Sequence, residues 1–300
     1  MSLPIGPVGL WTTALDAVPA AEATDLVAEI DEQGWGSLWF GEAYGREAFT
    51  AAMLYLGASK HLTIGTGIAS IYGRDAMAAA GAARTVNALH PDRFVLGLGV
   101  SHAPLVERMR GHEYGRPVAA MRAYLDALDI APTLVEAEKA LPPMVLAALG
   151  PRMLELSRDR TQGAHPYLVM PEHTAGAREI LGGGKDGPAL VVEQATVVDP
   201  AADHDVEVWR TRAHDHLNVY TGLPNYRTSW LRQGFTESDL MRGGSEHLAE
   251  SMVTRGLEAT RTRVQEHLDA GASAVVLQVL GPDLTVPPRA DWARLAEALL

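Results

Sequence analysis

The 300-residue chain contains no cysteine. Disulfide scaffolds, cysteine-held zinc, iron–sulfur clusters and thiol nucleophiles are therefore excluded. Lysine is confined to three positions, Lys60, Lys139 and Lys185, so arginine carries almost all of the positive charge. Basic charge as a whole is scarce: 25 Lys+Arg stand against 37 Asp+Glu, a formal charge of −12 with no basic run. Nucleic acid and anionic membranes are poor partners for such a surface. No apolar run approaches the ~18 residues that span a bilayer. The segment Met1–Pro7 has neither a basic start nor a continuous apolar stretch, so a cytoplasmic protein without a signal peptide is expected. What the chain does have is 47% hydrophobic against 21% charged residues, enough for a large core.

Organisation is carried by alternation. Short apolar runs occur at Val8–Trp11, Ser37–Phe40, Leu62–Ile68, Arg93–Gly99, Met144–Leu149, Ala164–Val169, Ala189–Val192 and Ala274–Val279. Between and after them lie helical spacings over 24–32, 48–59, 77–89, 121–130, 152–158, 172–181, 206–220, 256–268 and 291–300. The runs lack period-2 alternation and are apolar on both faces, as parallel strands between two layers must be. Eight such units predict α/β architecture: one (β/α)8 TIM barrel domain spanning 1–300. Two gaps are long, about 101–143 after the fourth strand and about 199–255 after the seventh. They read as insertions at the active-site face, or else as extra packing helices. Gly182–Gly187 reads as a turn at the opposite face and not as a phosphate loop, because no helix follows it.

In a barrel, chemistry collects where strands end at the C-terminal face. Glu42 follows the second strand and is a candidate general acid or base; its plain alternative is an acid at a loop start, facing water. Gly65 and Gly67 close the third strand and imply close backbone approach, to a ligand or to packed neighbours. The fourth strand runs into Gly97-Leu98-Gly99-Val100-Ser101-His102, which lacks the third glycine of a dinucleotide fingerprint. His102 can exchange a proton near neutral pH, although a lone histidine is often structural. After the fifth strand, Gly150-Pro151-Arg152-Met153 opens a helix with proline in its first turn, leaving amides free beside a guanidinium. That is an anion site, or an ordinary proline-started helix. No histidine spacing makes a metal site specific, and no nucleophile elbow or P-loop is present.

Several segments in order resemble the luciferase-like monooxygenase superfamily: Gly34–Trp39, Ile64–Ile68, Arg93–Gly99 and Asp269–Ala272. Gly99–Leu105, Leu149–Leu154, Ala164–Tyr167 and Pro171–Thr174 resemble its actinobacterial branch that uses coenzyme F420, an 8-hydroxy-5-deazaflavin. The resemblance covers nearly the whole chain. It implies a flavin-type ring across the barrel mouth, a non-prolyl cis peptide at Gly67–Ile68 behind the ring, and a phosphate tail at the amides after Gly150. The cofactor-binding set so implied is Trp11, Gly67, Ile68, Ala69, Ser101, Gly150, Pro151, Arg152, Met153 and His165, with His102 and Glu42 as proton-exchanging candidates. Trp11, Tyr72, Arg74, Tyr226 and Trp230 are further candidates for the pocket lining. Sugar-phosphate dehydrogenases of the superfamily carry an Asp-His pair after strand two and a Glu after strand four. This chain has Glu42-Ala43 and His102 there, so a glucose-6-phosphate-like substrate is not expected. Three functions follow from the resemblance: an F420-dependent oxidoreductase moving hydride to or from a small organic substrate, an FMN-dependent monooxygenase, or a non-catalytic flavin or deazaflavin carrier. A homodimer through helices beside strands two to four is implied as well, with Met53 and Leu54 either in that surface or in the core.

Overall fold

The computed structural model describes residues 3–184 and 187–300; Met1, Ser2 and, within the glycine-rich turn, Lys185 and Asp186 lie outside the described residues. The order is β1 (Val8–Trp11), α1 (Ala20–Glu32), β2 (Ser37–Phe40), α2 (Ala48–Ala58), β3 (Thr63–Thr66), β4 (Ala69–Ser70), α3 (Ala76–Leu89) and β5 (Phe94–Gly99). It continues with α4 (Pro117–Asp129), β6 (Met144–Leu146), α5 (Pro151–Arg160), β7 (Gly163–Ala164), α6 (Pro171–Leu181) and β8 (Ala189–Val197). After β8 come α7 (Pro200–His204), α8 (Val206–Tyr220), α9 (Pro224–Arg232), α10 (Glu246–Met252), β9 (Val253–Arg255), α11 (Gly256–Asp269), β10 (Ala274–Val279) and α12 (Arg289–Leu299).

All strand pairs are parallel, in the order β10-β1-β2-β3-β5-β6-β7-β8, and β8 pairs back onto β10. This is the closed eight-stranded TIM barrel expected from the alternation. The strands are buried on both faces because each separates two apolar layers. Trp39, Val95, Val145, Val191 and Val276 fill the barrel, while Leu38, Ile64, Phe94, Leu96 and Leu146 pack outward against the helices.

Three strand readings are corrected. The third run does not continue to Ile68: β3 stops at Thr66, the Gly67–Ile68 peptide is cis, and pairing resumes only at Ala69↔Leu98. The sixth run pairs over Gly163–Ala164 only, because Pro166 removes a donor and Leu168 adopts φ 52°, turning the chain into the barrel mouth. The seventh run extends past Val192 to Val197, so Glu193, Gln194 and Thr196 lie inside a strand. Residues 104–109 form a π-helical turn, with the His102 carbonyl rather than a side chain accepting the Leu105 and Val106 amides at 3.0 Å. Pro224 opens α9.

Within 101–143, α4 packs between α3 and α5 in the outer helical ring. Within 199–255, α8 and α9 bring aromatic side chains over the mouth, where the Trp230 indole N–H donates to Leu168 O at 3.1 Å. Met53 and Leu54 are half-buried against the outer core. Among the described residues no helix is long and apolar enough to cross a membrane.

Candidate active site

The mouth is built around the break after β3. Thr66 Oγ1 donates to Gly97 O at 2.7 Å and accepts the Gly97 N–H at 2.8 Å, fixing the strand end to β5. Beyond it, Gly67 N–H donates to Phe40 O at 2.6 Å, the Trp11 indole N–H donates to Gly67 O at 3.1 Å, and Glu42 N–H donates to Ile68 O at 3.1 Å. The bulge needs glycine at Gly97, where a Cβ would lie 1.9 Å from Thr66 O. It also needs glycine at Gly67, where a Cβ would lie 2.5 Å from Trp11 Nε1 and 2.8 Å from His165 Nε2. At Gly65 a Cβ would lie 2.4 Å from the Trp39 ring, so the close approach implied by Gly65 and Gly67 is to the protein's own groups.

Along the ends of β3, β5 and β6, the half-exposed residues include Gly67, Ile68, Ser101, His102, Ala147 and Gly150. Because β3, β5 and β6 are neighbours, these residues share one rim of the barrel mouth, the candidate cleft. Ser101 turns through φ 55°, and its carbonyl accepts from the Tyr114 hydroxyl at 3.3 Å. His102 stands with its ring 5.8 Å from that of Tyr226. Burial lowers its pKa against the opposing pull of an Asn225 hydrogen bond, so the imidazole is neutral at pH 7. At the far end, Gly150 precedes α5 with no side chain capping the helix, and Pro151 and Arg152 are exposed. The Arg232 guanidinium reaches the same point, donating to Leu149 O at 3.1 Å. Helix amides and two guanidiniums make this end of the cleft electropositive.

The other sequence candidates lie elsewhere. Glu42 is buried below the bulge and is fully engaged: it accepts the Ser70 N–H at 2.8 Å and the Ala48 N–H at 3.2 Å, and pairs with Arg74. Arg74 also reaches Glu47 at 3.0 Å and covers the Phe49 ring at 5.3 Å, which makes it a brace rather than pocket lining. Ala69 and Met153 are buried in the outer core. Trp11 lies beneath the mouth, 5% exposed. His165 is inside the barrel, with Nδ1 on Val191 O at 2.8 Å, its ring 5.1 Å from Trp39, and Nε2 without a partner. Burial lowers its pKa to about 4. Tyr72 is half-exposed beside Tyr114, at 5.9 Å between rings.

Sequence reading missed the deeper half of the mouth. Tyr220 OH donates to Tyr167 OH at 2.9 Å, Tyr167 donates to Gln278 Oε1, and His216 Nε2 stands 3.5 Å from the same Tyr167 oxygen. Glu193 points inward from β8 with no exposed surface, and burial pushes its pKa up to about 8. The signal was there: a carboxylate within the apolar run 189–198, unnoticed because the strand was ended at Val192.

Comparisons with known proteins bear on this geometry. The luciferase-like monooxygenase family model matches residues 7–280. A Mycobacterium tuberculosis protein provisionally named a coenzyme F420-dependent oxidoreductase is 28% identical over 64% of this chain, and the match spans 52% of that protein's own length. Among solved structures, an F420-dependent secondary alcohol dehydrogenase in complex with an F420–acetone adduct superposes with a TM-score of 0.73 at 14% identity, covering 100% of this chain and 98% of that one. The oxygenating constituent of 3,6-diketocamphane monooxygenase from Pseudomonas putida, in complex with FMN, gives 0.69 at 11% identity, covering 98% and 96%. At such identities the structural likeness is one of fold.

Proposed function

The chain belongs to the luciferase-like monooxygenase family, whose members are oxidoreductases, and we propose that within it this protein is an F420-dependent oxidoreductase acting on a small organic substrate. The observation that carries this reading is the row of residues at the strand ends. Small, half-exposed residues run from Gly67–Ile68 past Ser101 and Ala147 to the uncapped start of α5. These residues fit a flat ring with an anionic tail: Gly67, Ser101 and Ala147 leave space over the strand ends, and the Arg152 amide, with the Arg152 and Arg232 guanidiniums, would hold the anion. A deazaflavin bound there supplies two-electron hydride exchange. The F420 name carried by the 28%-identical relative favours that cofactor over FMN.

In this reading His102 is the residue that exchanges a proton with the substrate, since it is neutral and opens on the cleft. Glu42 acts through the bulge as a positioning residue, because its oxygens are already committed. Assembly as a homodimer through α2 belongs to the same reading, with Met53 and Leu54 half-exposed on that helix.

Equilibrium titration of the apo protein with F420 and, separately, FMN is expected to show micromolar F420 binding and much weaker FMN binding. Preference for FMN would move the assignment to an oxygen-using monooxygenase that needs a reductase, and binding of neither would end the cofactor reading. Replacing His102 by Ala is expected to slow single-turnover hydride transfer by about 10²-fold or more, within the usual range for a lost proton-transfer group. An unchanged rate with unchanged cofactor affinity would remove His102 from that role.

A further inference from the structure

Glu193 has no part in the reading above. Its Oε2 accepts the Leu168 N–H at 3.0 Å, its Oε1 has no partner, and none of its surface is exposed. Among the described residues no arginine or lysine pairs with it. The titratable groups around it are neutral ones: His165 and Tyr167 from the segment at and after β7, Tyr220 from α8 and Tyr226 from α9. One N–H donor is poor compensation for a buried carboxylate, whereas a carboxylic acid is tolerated there.

We propose that Glu193 holds a proton at neutral pH and serves as the proton store of the barrel mouth when a carbonyl-type substrate is reduced. This rests on the hydride-transfer reading. When a hydride reaches a carbonyl carbon, the C=O π pair moves onto oxygen, which must take up one proton. Glu193 loses that proton and becomes a carboxylate, and a proton from water restores it. Tyr167, Tyr220 and Tyr226 feel the Glu193 charge, and transfer in both directions would pass through them once Oε1, which has no partner at rest, swings to a hydroxyl. On one side the Tyr226 ring stands beside that of His102 at the strand ends, with 5.8 Å between ring centres. On the other, Tyr167 meets His216, which lines a solvent-open groove with Asp215, Leu280 and Gly281. Burial lowers the His216 pKa to about 4, so the neutral imidazole passes a proton from one nitrogen to the other without storing charge. Glu193 acts through these groups and is a positioning and proton-holding residue, not one that touches the substrate.

The test has two readouts, both comparing wild type with Glu193→Gln. Infrared spectroscopy of the apo protein in H2O and D2O at pH 7 is expected to show a protonated-carboxyl band that the substitution removes and that titrates away near pH 8. The reduction potential of the bound ring, followed from about pH 6 to about pH 10, is expected to bend near pH 8 in wild type and to lose that bend in Glu193→Gln. Absence of the band, or a bend that survives the substitution, overturns the proposal. If F420 does not bind, FMN is used for the potential; if neither binds, the storage role falls with the hydride-transfer reading, while the band still decides the protonation of Glu193. Should Glu193→Gln fail to fold, Tyr167→Phe is expected to shift both midpoints, and unshifted midpoints overturn the proposal.

Discussion

Arg74→Met is expected to lower the free energy of unfolding by about 3–5 kcal/mol, the usual cost of removing one partner from a buried ion pair. The Glu42 and Arg74 side chains are 4% and 11% exposed, so solvent screens the pair little. With the guanidinium gone, the Glu42 carboxylate keeps only the Ser70 and Ala48 amides as donors. Those amides belong to the strand that resumes after the bulge and to the first turn of α2, so the loss spreads to the mouth. In a chain of this size the melting temperature should fall on the order of 10 °C. The double substitution Glu42→Leu with Arg74→Met should recover most of the loss, since a buried pair replaced by apolar groups is often near neutral. Urea unfolding of the three proteins measures this. A loss below about 1 kcal/mol for Arg74→Met would mean that the pair is solvated in solution, and would return Glu42 to the candidates for proton exchange.

The barrel was legible because two-faced burial leaves a continuous apolar run for every strand, and Val8–Trp11, Ser37–Phe40 and Ala274–Val279 all begin and end where the runs do. Strand ends were less legible, and for a local reason at each place. At Gly67 the bulge interrupts pairing while the residues stay apolar, so the pattern shows no break; the family resemblance, not periodicity, placed the cis bond there. At Glu193 a polar residue faces the barrel interior, and a pattern that equates polar with loop stops at Val192, five residues before the strand ends at Val197. The outer half of the cleft, Ser101, His102 and Gly150–Arg152, was visible because it sits at strand ends, where functional groups are sought. The inner half joins Tyr167, the α8 pair His216 and Tyr220, and Gln278 from three separate segments, and no spacing along the chain records that convergence. Glu42 was visible as a candidate, but its commitment to Arg74, thirty-two positions away, was not.

Gly97→Ala is expected to be as damaging as loss of the buried pair, although it adds a single methyl group. The new Cβ would stand 1.9 Å from Thr66 O and 3.0 Å from Thr66 C, both backbone atoms with no rotamer to yield. Overpacking of a core costs typically 1–3 kcal/mol when side chains can adjust, and here the strand itself must move. A loss of about 3 kcal/mol, at the top of that range, is therefore expected. The movement would also break the reciprocal bonds between Thr66 Oγ1 and Gly97 and displace Gly67–Ile68, so affinity for the ring should fall at least about tenfold, the equivalent of 1.4 kcal/mol. Gly81→Ala supplies the contrast. Gly81 lies in the interior of α3 with nothing within 4 Å of the added methyl, and alanine there should stabilise the helix by about 1 kcal/mol. Opposite signs at the two glycines, read by urea unfolding, would show that the bulge is held in place by the missing side chain at Gly97. A Gly97→Ala protein as stable as wild type, with unchanged ring affinity, would mean that β5 can shift away from Thr66 without disturbing the mouth, and that the bulge is fixed instead by Trp11 and Glu42, whose N–H groups grip it from the other side.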